Sequence, residues 1–473
     1  DTTSAQGQFE KFSNHGAQTS STFSVRTSLN VTNRTYVAYV FAHDDAQFGT
    51  GHNESIIKCG SYTGNAGVGP SLNLGFEPQW VLIKNTSVSQ DWTNWLIFDN
   101  MRGVATGVGD ILLQPNTTAE EGSTYTASNI DLIDFTSTGF NIDPGGSQYT
   151  LINSNGNNYI YMAIRRPHKP PEVGTEVFAI DTRGGTSPTP PTYNSGFPVD
   201  VSWARDITTS NWQVKSRLTG EGQILTLNST AAEYNNPSGR VTFDRMDGTG
   251  TDTGVDSANY SWMFKRAPGF FDVVTYTGNG YGGGNTPNSI NHNLGVAPEM
   301  IITKNRLNAG YLWLVYNSGL SSINSALVIN GSNAEQTISG IWNNAAPTST
   351  QFFLNLGENN YNNHSYIAYL FATLPGISKV GSYSGTGSVQ NIDCGFTNGA
   401  RFVIIKKTSD TGNWNVYDTK RGLVSGNDQV LNLDNNAAQA SYDSIDPHSS
   451  GFTLTTGPVV NANGSDYIFL AIA

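Results

Sequence analysis

Tyr366-Ile-Ala-Tyr-Leu-Phe-Ala372 has four close relatives in the same chain: Tyr36-Val-Ala-Tyr-Val-Phe-Ala42, Tyr159-Ile-Tyr-Met-Ala-Ile164, Tyr260-Ser-Trp-Met-Phe264 and Tyr467-Ile-Phe-Leu-Ala-Ile472. Their leading tyrosines are 123, 101, 106 and 101 residues apart. Working outward, a Gly-apolar pair recurs at Gly75-Phe76, Gly196-Phe197, Gly295-Val296 and Gly395-Phe396. Each pair leads into an apolar run closed by a cation, at Lys84, Arg205, Lys304 and Lys406, and then into Trp95, Trp212, Trp313 and Trp414. Four markers in one order at nearly one period are the signature of a tandem repeat. The expected organisation is the last strands of a partial unit (1–45) followed by four units at 55–167, 175–267, 270–373 and 377–473. The first and fourth are most alike, sharing Lys-x-Gly-Ser-Tyr (Lys58–Tyr62, Lys379–Tyr383) and Asp-x-x-Arg-Gly (Asp99–Gly103, Asp418–Gly422). The second is the most diverged. Short joints, two of them carrying Pro, predict a stiff string whose neighbouring units bury surface against each other.

Within a unit every local signal is β. Trp80-Val-Leu-Ile83, Met300-Ile-Ile302 and Phe402-Val-Ile-Ile405 are short, rich in branched or aromatic residues and bounded by Gly, Asn, Ser and Pro. Continuous apolar runs of this kind read as central strands covered on both faces. Leu431–Asp434 and Phe452–Thr455 alternate and read as half-exposed. Seven or eight strands per 100 residues point to an all-β fold, a tandem array of antiparallel β-sandwiches of jelly-roll type.

Composition narrows the function. Of 473 residues 13% are charged and 11% aromatic, which suits packed cores and not a disordered chain. A net charge of −12 argues against a nucleic-acid surface, and no run of 18 apolar residues exists to span a membrane. The chain opens at Asp1 without Met, reading as a processed or partial product. The partial first unit predicts chain before it, and the stop at Ala471-Ile472-Ala473, where the first unit continues to Arg165-Arg-Pro167, predicts chain after it.

No catalytic constellation is found: the seven His are scattered, and neither His-Glu-x-x-His nor Cys-x-x-Cys occurs. No cofactor site follows. The Gly278–Gly284 stretch lacks Gly-Lys-Ser/Thr and reads as a turn. Recurring Tyr and Trp suit a sugar-stacking platform, but residues repeated in every unit are better read as its packing. The recurring cation reads as strand-end structure, pairing in the first and fourth units with Asp99 or Asp418. Cys59 and Cys394 occupy non-equivalent places and read as small buried hydrophobes without a disulfide. One loop, Asp247-Gly-Thr-Gly-Thr-Asp-Thr-Gly-Val-Asp256, offers Asp247, Asp252 and Asp256 to a Ca²⁺ ion. It lacks the EF-hand spacing, and the simpler reading is an acidic turn held by its own hydrogen bonds.

The sequence Lys58-Cys-Gly-Ser-Tyr-Thr-Gly64, Asn73-Leu-Gly-Phe-Glu-Pro78, Val81-Leu-Ile-Lys84, Trp95-Leu-Ile-Phe-Asp-Asn-Met-Arg-Gly103 and Asn155-Gly-Asn-Asn-Tyr-Ile-Tyr-Met-Ala-Ile-Arg165 resembles a repeat in structural proteins of marine tailed phages, cyanophages especially. Those proteins are described as tail-fibre-like or as carrying concanavalin-like domains. The likeness is strongest in the first and fourth units and weakest in the second. It implies a non-enzymatic structural and adhesive protein on the virion surface, extracellular, a tail fibre, appendage or decoration contributing to host attachment. Its implied partners are other virion proteins, copies of itself as a homo-oligomer (trimers, by analogy with fibres) and a host glycan or protein. The alternative is a secreted carbohydrate-binding or glycan-hydrolysing protein.

Overall fold

The computed structural model describes residues 19–25, 30–49, 51–90, 93–107, 109–121, 131–143, 150–184, 192–236, 241–251, 256–280, 287–355 and 357–473. They are almost entirely β, in several separate antiparallel sheets. The chain forms two compact units: 1–99 with 109–135 and 139–166, and 100–108 with 136–138 and 167–473.

One sheet recurs four times. In the first module its strands run in the order Ile57–Thr63, Asn158–Arg165, Pro78–Asn85, Leu96–Asp99, Leu112–Leu113. The third module repeats this with Phe271–Thr277, Ser365–Phe371, Met300–Asn305, Leu314–Asn317 and Ser325–Val328, and the fourth with Ser378–Ser384, Asp466–Ile472, Phe402–Lys407, Trp414–Asp418 and Asp428–Asn432. The second keeps the plan with Phe178–Arg183, Asp256–Phe264, Val201–Asp206, Gln213–Ser216 and Gln223–Thr226. Register is conserved as well as order. Leu82 faces Met162, Trp203 faces Trp262, Ile302 faces Tyr369 and Ile404 faces Leu470.

A smaller sheet closes one face of each large sheet. In the fourth module it is Gln390–Asp393, Gly451–Leu454 and Ile445–His448, and Phe452 and Leu454 share a buried core with Val403, Ile405, Tyr467 and Phe469. Gly451–Leu454 is fully buried, not half-exposed as its alternation suggests, because it is the middle strand of that small sheet. The interiors of the first, third and fourth sandwiches are each pinned by a stacked tyrosine pair: Tyr62–Tyr159, Tyr276–Tyr366 and Tyr383–Tyr467, with ring centroids 4.9, 5.0 and 5.0 Å apart. The first phenol of each pair donates to a backbone carbonyl, of Ile152, Asn359 or Val460. The second accepts from a loop amide, of Ser154, Tyr361 or Ala462. The recurring Gly75, Gly196, Gly295 and Gly395 all have φ between 72° and 78°, a left-handed turn that strains any side chain. In the Lys-x-Gly-Ser-Tyr motif the reason for glycine is different: a Cβ on Gly381 would lie 2.6 Å from the Phe469 ring.

The modules of the second unit are not strung end to end. The outer faces of their three large sheets converge on one shared core that holds Val201, Trp203 and Phe264, Met300, Ile302 and Phe371, and Phe402, Ile404 and Ile472, all at most 2% exposed. Phe264 of the second module lies 5.9 Å from Phe371 of the third and 6.4 Å from Phe402 of the fourth. A string would leave the second and fourth modules apart. Burying a second apolar face on every sheet, at roughly 25 cal/mol per Å², favours closure over extension.

Tyr36–Ala42 forms no strand. Val37, Tyr39 and Val40 are 78, 83 and 75% exposed, since among the described residues no neighbouring strands flank this segment as they flank Asn158–Arg165. No described helix is long and apolar enough to cross a membrane.

Candidate functional site

The residues that recur in the sequence meet at the junctions between the second, third and fourth modules. Each of these three large sheets carries its tryptophan at the start of the fourth strand, where the indole projects toward a neighbouring module. Trp212 Nε1 donates to the Asn432 carbonyl at 2.7 Å, Trp313 Nε1 to the Thr226 carbonyl at 3.1 Å and Trp414 Nε1 to the Val328 carbonyl at 2.9 Å. Those three acceptors hold the same position in their own sheets, one residue after Leu431, Leu225 and Leu327. The second module therefore reaches the fourth, the third reaches the second and the fourth reaches the third. The cycle closes.

Backbone bonds repeat the cycle. Ser210 N donates to Asn436 O, Gly310 N to Thr230 O and Gly412 N to Ser332 O. In the return direction Gln439 N donates to Ile207 O, Glu233 N to Arg306 O and Glu335 N to Thr408 O. Three homologous junctions in cyclic order make a pseudo-three-fold ring built from one chain, the arrangement that closed cyclic oligomers achieve with identical subunits.

Two of the recurring cations, Lys406 and Arg205, donate across these junctions, and Lys304 braces the tryptophan loop of its own module. Lys406 Nζ donates to Ser332 O at 3.0 Å and Gly412 O at 2.7 Å. Lys304 Nζ donates to Tyr311 O and lies 5.9 Å from the Trp313 ring. Arg205 donates to the carbonyls of Asn432, Asn435 and Ala437 while its guanidinium stands 5.4 Å over Trp212. Burial pushes both lysines down to about 8 and Arg205 down to about 10. Asp418, the partner expected for Lys406, is not bound to it. Register places Asp418 opposite Phe402, four residues before Lys406 and so roughly 13 Å along the strand. Asp418 instead binds Arg421 at 2.6 Å, three residues on in its own motif, and accepts from Trp262 Nε1 at 3.1 Å. The junction of the second and third modules also holds a buried ion pair, Arg306 with Glu233, bidentate at 2.8 and 3.0 Å with both side chains at most 2% exposed.

The loop expected to suit Ca²⁺ is only partly described. The Asp247 carboxylate stands 3.4 Å from the Arg245 guanidinium, and the Asp247 carbonyl accepts from the Ser195 and Gly196 amides. Asp252 lies outside the described residues, and Asp256 opens the strand Asp256–Phe264. A different acidic group was not read from the sequence. Asp131, Asp134 and Asp143 of the first module, all half-buried, bring one carboxylate oxygen each to within 4.8 Å of one another, a donor set of the oxygen type that hard cations take. Beside it Asp110 is buried and accepts from the Leu132 and Ile133 amides, its carboxyl pushed well up by burial and then by Asp131. Asp428 is its counterpart in the fourth module, accepting from Ser444 and Ile445 and pushed up to about 6 by burial. The carboxylate thus recurs because it caps a strand start. Asp143 enters from the end of another strand, so sequence spacing gave no signal for the group.

Cys394 is buried and pushed up to about 12. Cys59 is exposed, against expectation, because it faces Met162 on the open side of the first module's sheet.

No curated protein matches the chain. A family model described as "Domain of unknown function (DUF7483)" matches residues 1–167 and 265–473, leaving out the second and most diverged module. These segments take in the first, third and fourth copies of the sheet just described, and the chain belongs to this DUF7483 family.

Proposed function

We propose that the protein is a non-enzymatic structural and adhesive component of a bacteriophage virion surface, a tail fibre, appendage or decoration that contributes to host attachment. The observation that carries this reading is the fate of the recurring aromatic residues: Trp212, Trp313 and Trp414 are at most 1% exposed and tie module to module through their indole N–H groups. Side chains that would stack on sugars in a binding platform are spent on architecture. A ring of like modules closed within one chain gives a rigid body able to present loops from several modules together, where linked weak contacts gain avidity. The resemblance of the Lys58–Arg165 repeat to tailed-phage structural proteins supplies the virion setting.

A secreted carbohydrate-active protein is the competing reading. Its foothold is the exposed aromatic cleft lined by Phe23, Tyr36, Tyr39 and Phe41. A glycan array and a reducing-sugar assay on the purified chain separate the two. Reproducible glycan hydrolysis overturns the structural reading, whereas labelling of intact particles by an antibody to this chain, without hydrolysis, supports it.

A further inference from the structure

The first module repeats the large sheet but leaves its outer face open. Trp80 and Leu82, Ile97, and Met162 and Ile164 are half-buried, and Ile160 is 42% exposed. By register these are the counterparts of Met300 and Ile302, Val315, and Tyr369, Phe371 and Ile367, every one at most 2% exposed in the shared core of the ring. The face has kept its apolar character at every one of these positions. An isolated soluble sheet would gain by carrying polar residues there, and apolar patches of this kind mark interaction surfaces.

The ring also shows what covers such a face: two further modules of the same kind around a three-fold axis. The junction chemistry is present too. Trp95, half-buried, holds the place of Trp313, and its indole N–H bonds none of the described residues. The Gln114 carbonyl, the counterpart of the acceptor on Thr226, sits in the same turn, taking the Thr117 amide as Thr226 O takes that of Ser229. Donor and acceptor are both supplied by one module, as a heterologous interface closing into a ring requires.

We propose that this face is the self-association surface of the protein, through which the first modules of three chains pack around a true three-fold axis, Trp95 of each chain donating to Gln114 of the next. The inference stands on the comparison of modules and does not depend on the virion reading. Cys59 supplies a built-in reporter. It faces Met162 on this sheet, where Val273 faces Tyr369 and Val380 faces Leu470 in the ring core, and the other thiol, Cys394, is buried.

The test is the mass of the purified chain by light scattering over a concentration series, with the rate of Cys59 modification by a disulfide reagent. The wild type is expected at three times the 50.9 kDa chain mass, with Cys59 protected. Ile160→Glu, at a position already open to solvent, is expected to give a folded monomer whose Cys59 reacts at least tenfold faster. A wild type that stays monomeric or dimeric with reactive Cys59 overturns the proposal whatever the variant does. So does an Ile160→Glu chain that remains trimeric and protected.

Discussion

Arg306 and Glu233 belong to different modules, 73 residues apart, yet form a bidentate pair with almost no solvent exposure. Arg306→Met leaves the Glu233 carboxylate buried without its cation, and Glu233→Leu strands the guanidinium. Breaking a buried pair on one side costs about 3–5 kcal/mol, whereas replacing both partners with apolar groups is often close to neutral. A cooperative unit of roughly 300 residues has a melting entropy near 0.6 kcal/mol/K, so each single variant should melt about 5–8 °C lower. The double variant should return to within about 2 °C of wild type. The assay is a double-mutant cycle in urea, followed by tryptophan fluorescence, and the expected coupling is at least about 2 kcal/mol. Independent modules could not couple these residues. A coupling below about 0.5 kcal/mol, the range of independent sites, would refute the closed junction between the second and third modules.

Trp414→Phe removes the indole N–H and orphans the Val328 carbonyl, and should cost about 1–3 kcal/mol, read as a lower urea midpoint. Lys304 and Lys406 have folded values of about 8, below the unfolded value near 10.4. Between those limits the unfolded chain holds more protons, so the urea midpoint should rise from pH 8 to pH 9.5, and rise less in Lys304→Met/Lys406→Met. Asp428 has the opposite sign. Its folded value of about 6 lies above the unfolded value near 3.9, so its contribution is full below pH 4 and is lost as pH rises through 6. Asp428→Asn should flatten that decline in urea midpoints measured from pH 4 to 6.5. Gly381→Ala drives a methyl against the Phe469 ring, and should lower stability by about 1–3 kcal/mol in the same assay.

The all-β character and the repeat were legible because they are periodic: tyrosine, glycine, cation and tryptophan return in order, and in the first, third and fourth modules the tyrosine holds one structural post. Continuous apolar runs also told the truth about two-sided burial at Met300–Ile302 and Phe402–Ile405. The same signal at Trp80–Ile83 spoke of a face that this chain alone leaves open. The ring itself was not legible. Arg205 finds its acceptors more than 220 residues away, and local sequence carries no record of which outer faces meet. A string and a ring have the same strands, turns and joints. The acidic group of Asp131, Asp134 and Asp143 escaped notice because strand pairing, not spacing, brings Asp143 to the other two. Asp247 is close to Asp252 and Asp256 in sequence, but its carboxylate is turned to Arg245.

The central claim is that the second, third and fourth modules are one cooperative body. Scanning calorimetry reads this directly, because unfolding enthalpy scales at about 0.7 kcal/mol per residue. One transition for residues 167–473 with a van't Hoff enthalpy near 200 kcal/mol, equal to its calorimetric enthalpy, is the predicted result. Three separable transitions of about 70 kcal/mol each would contradict it.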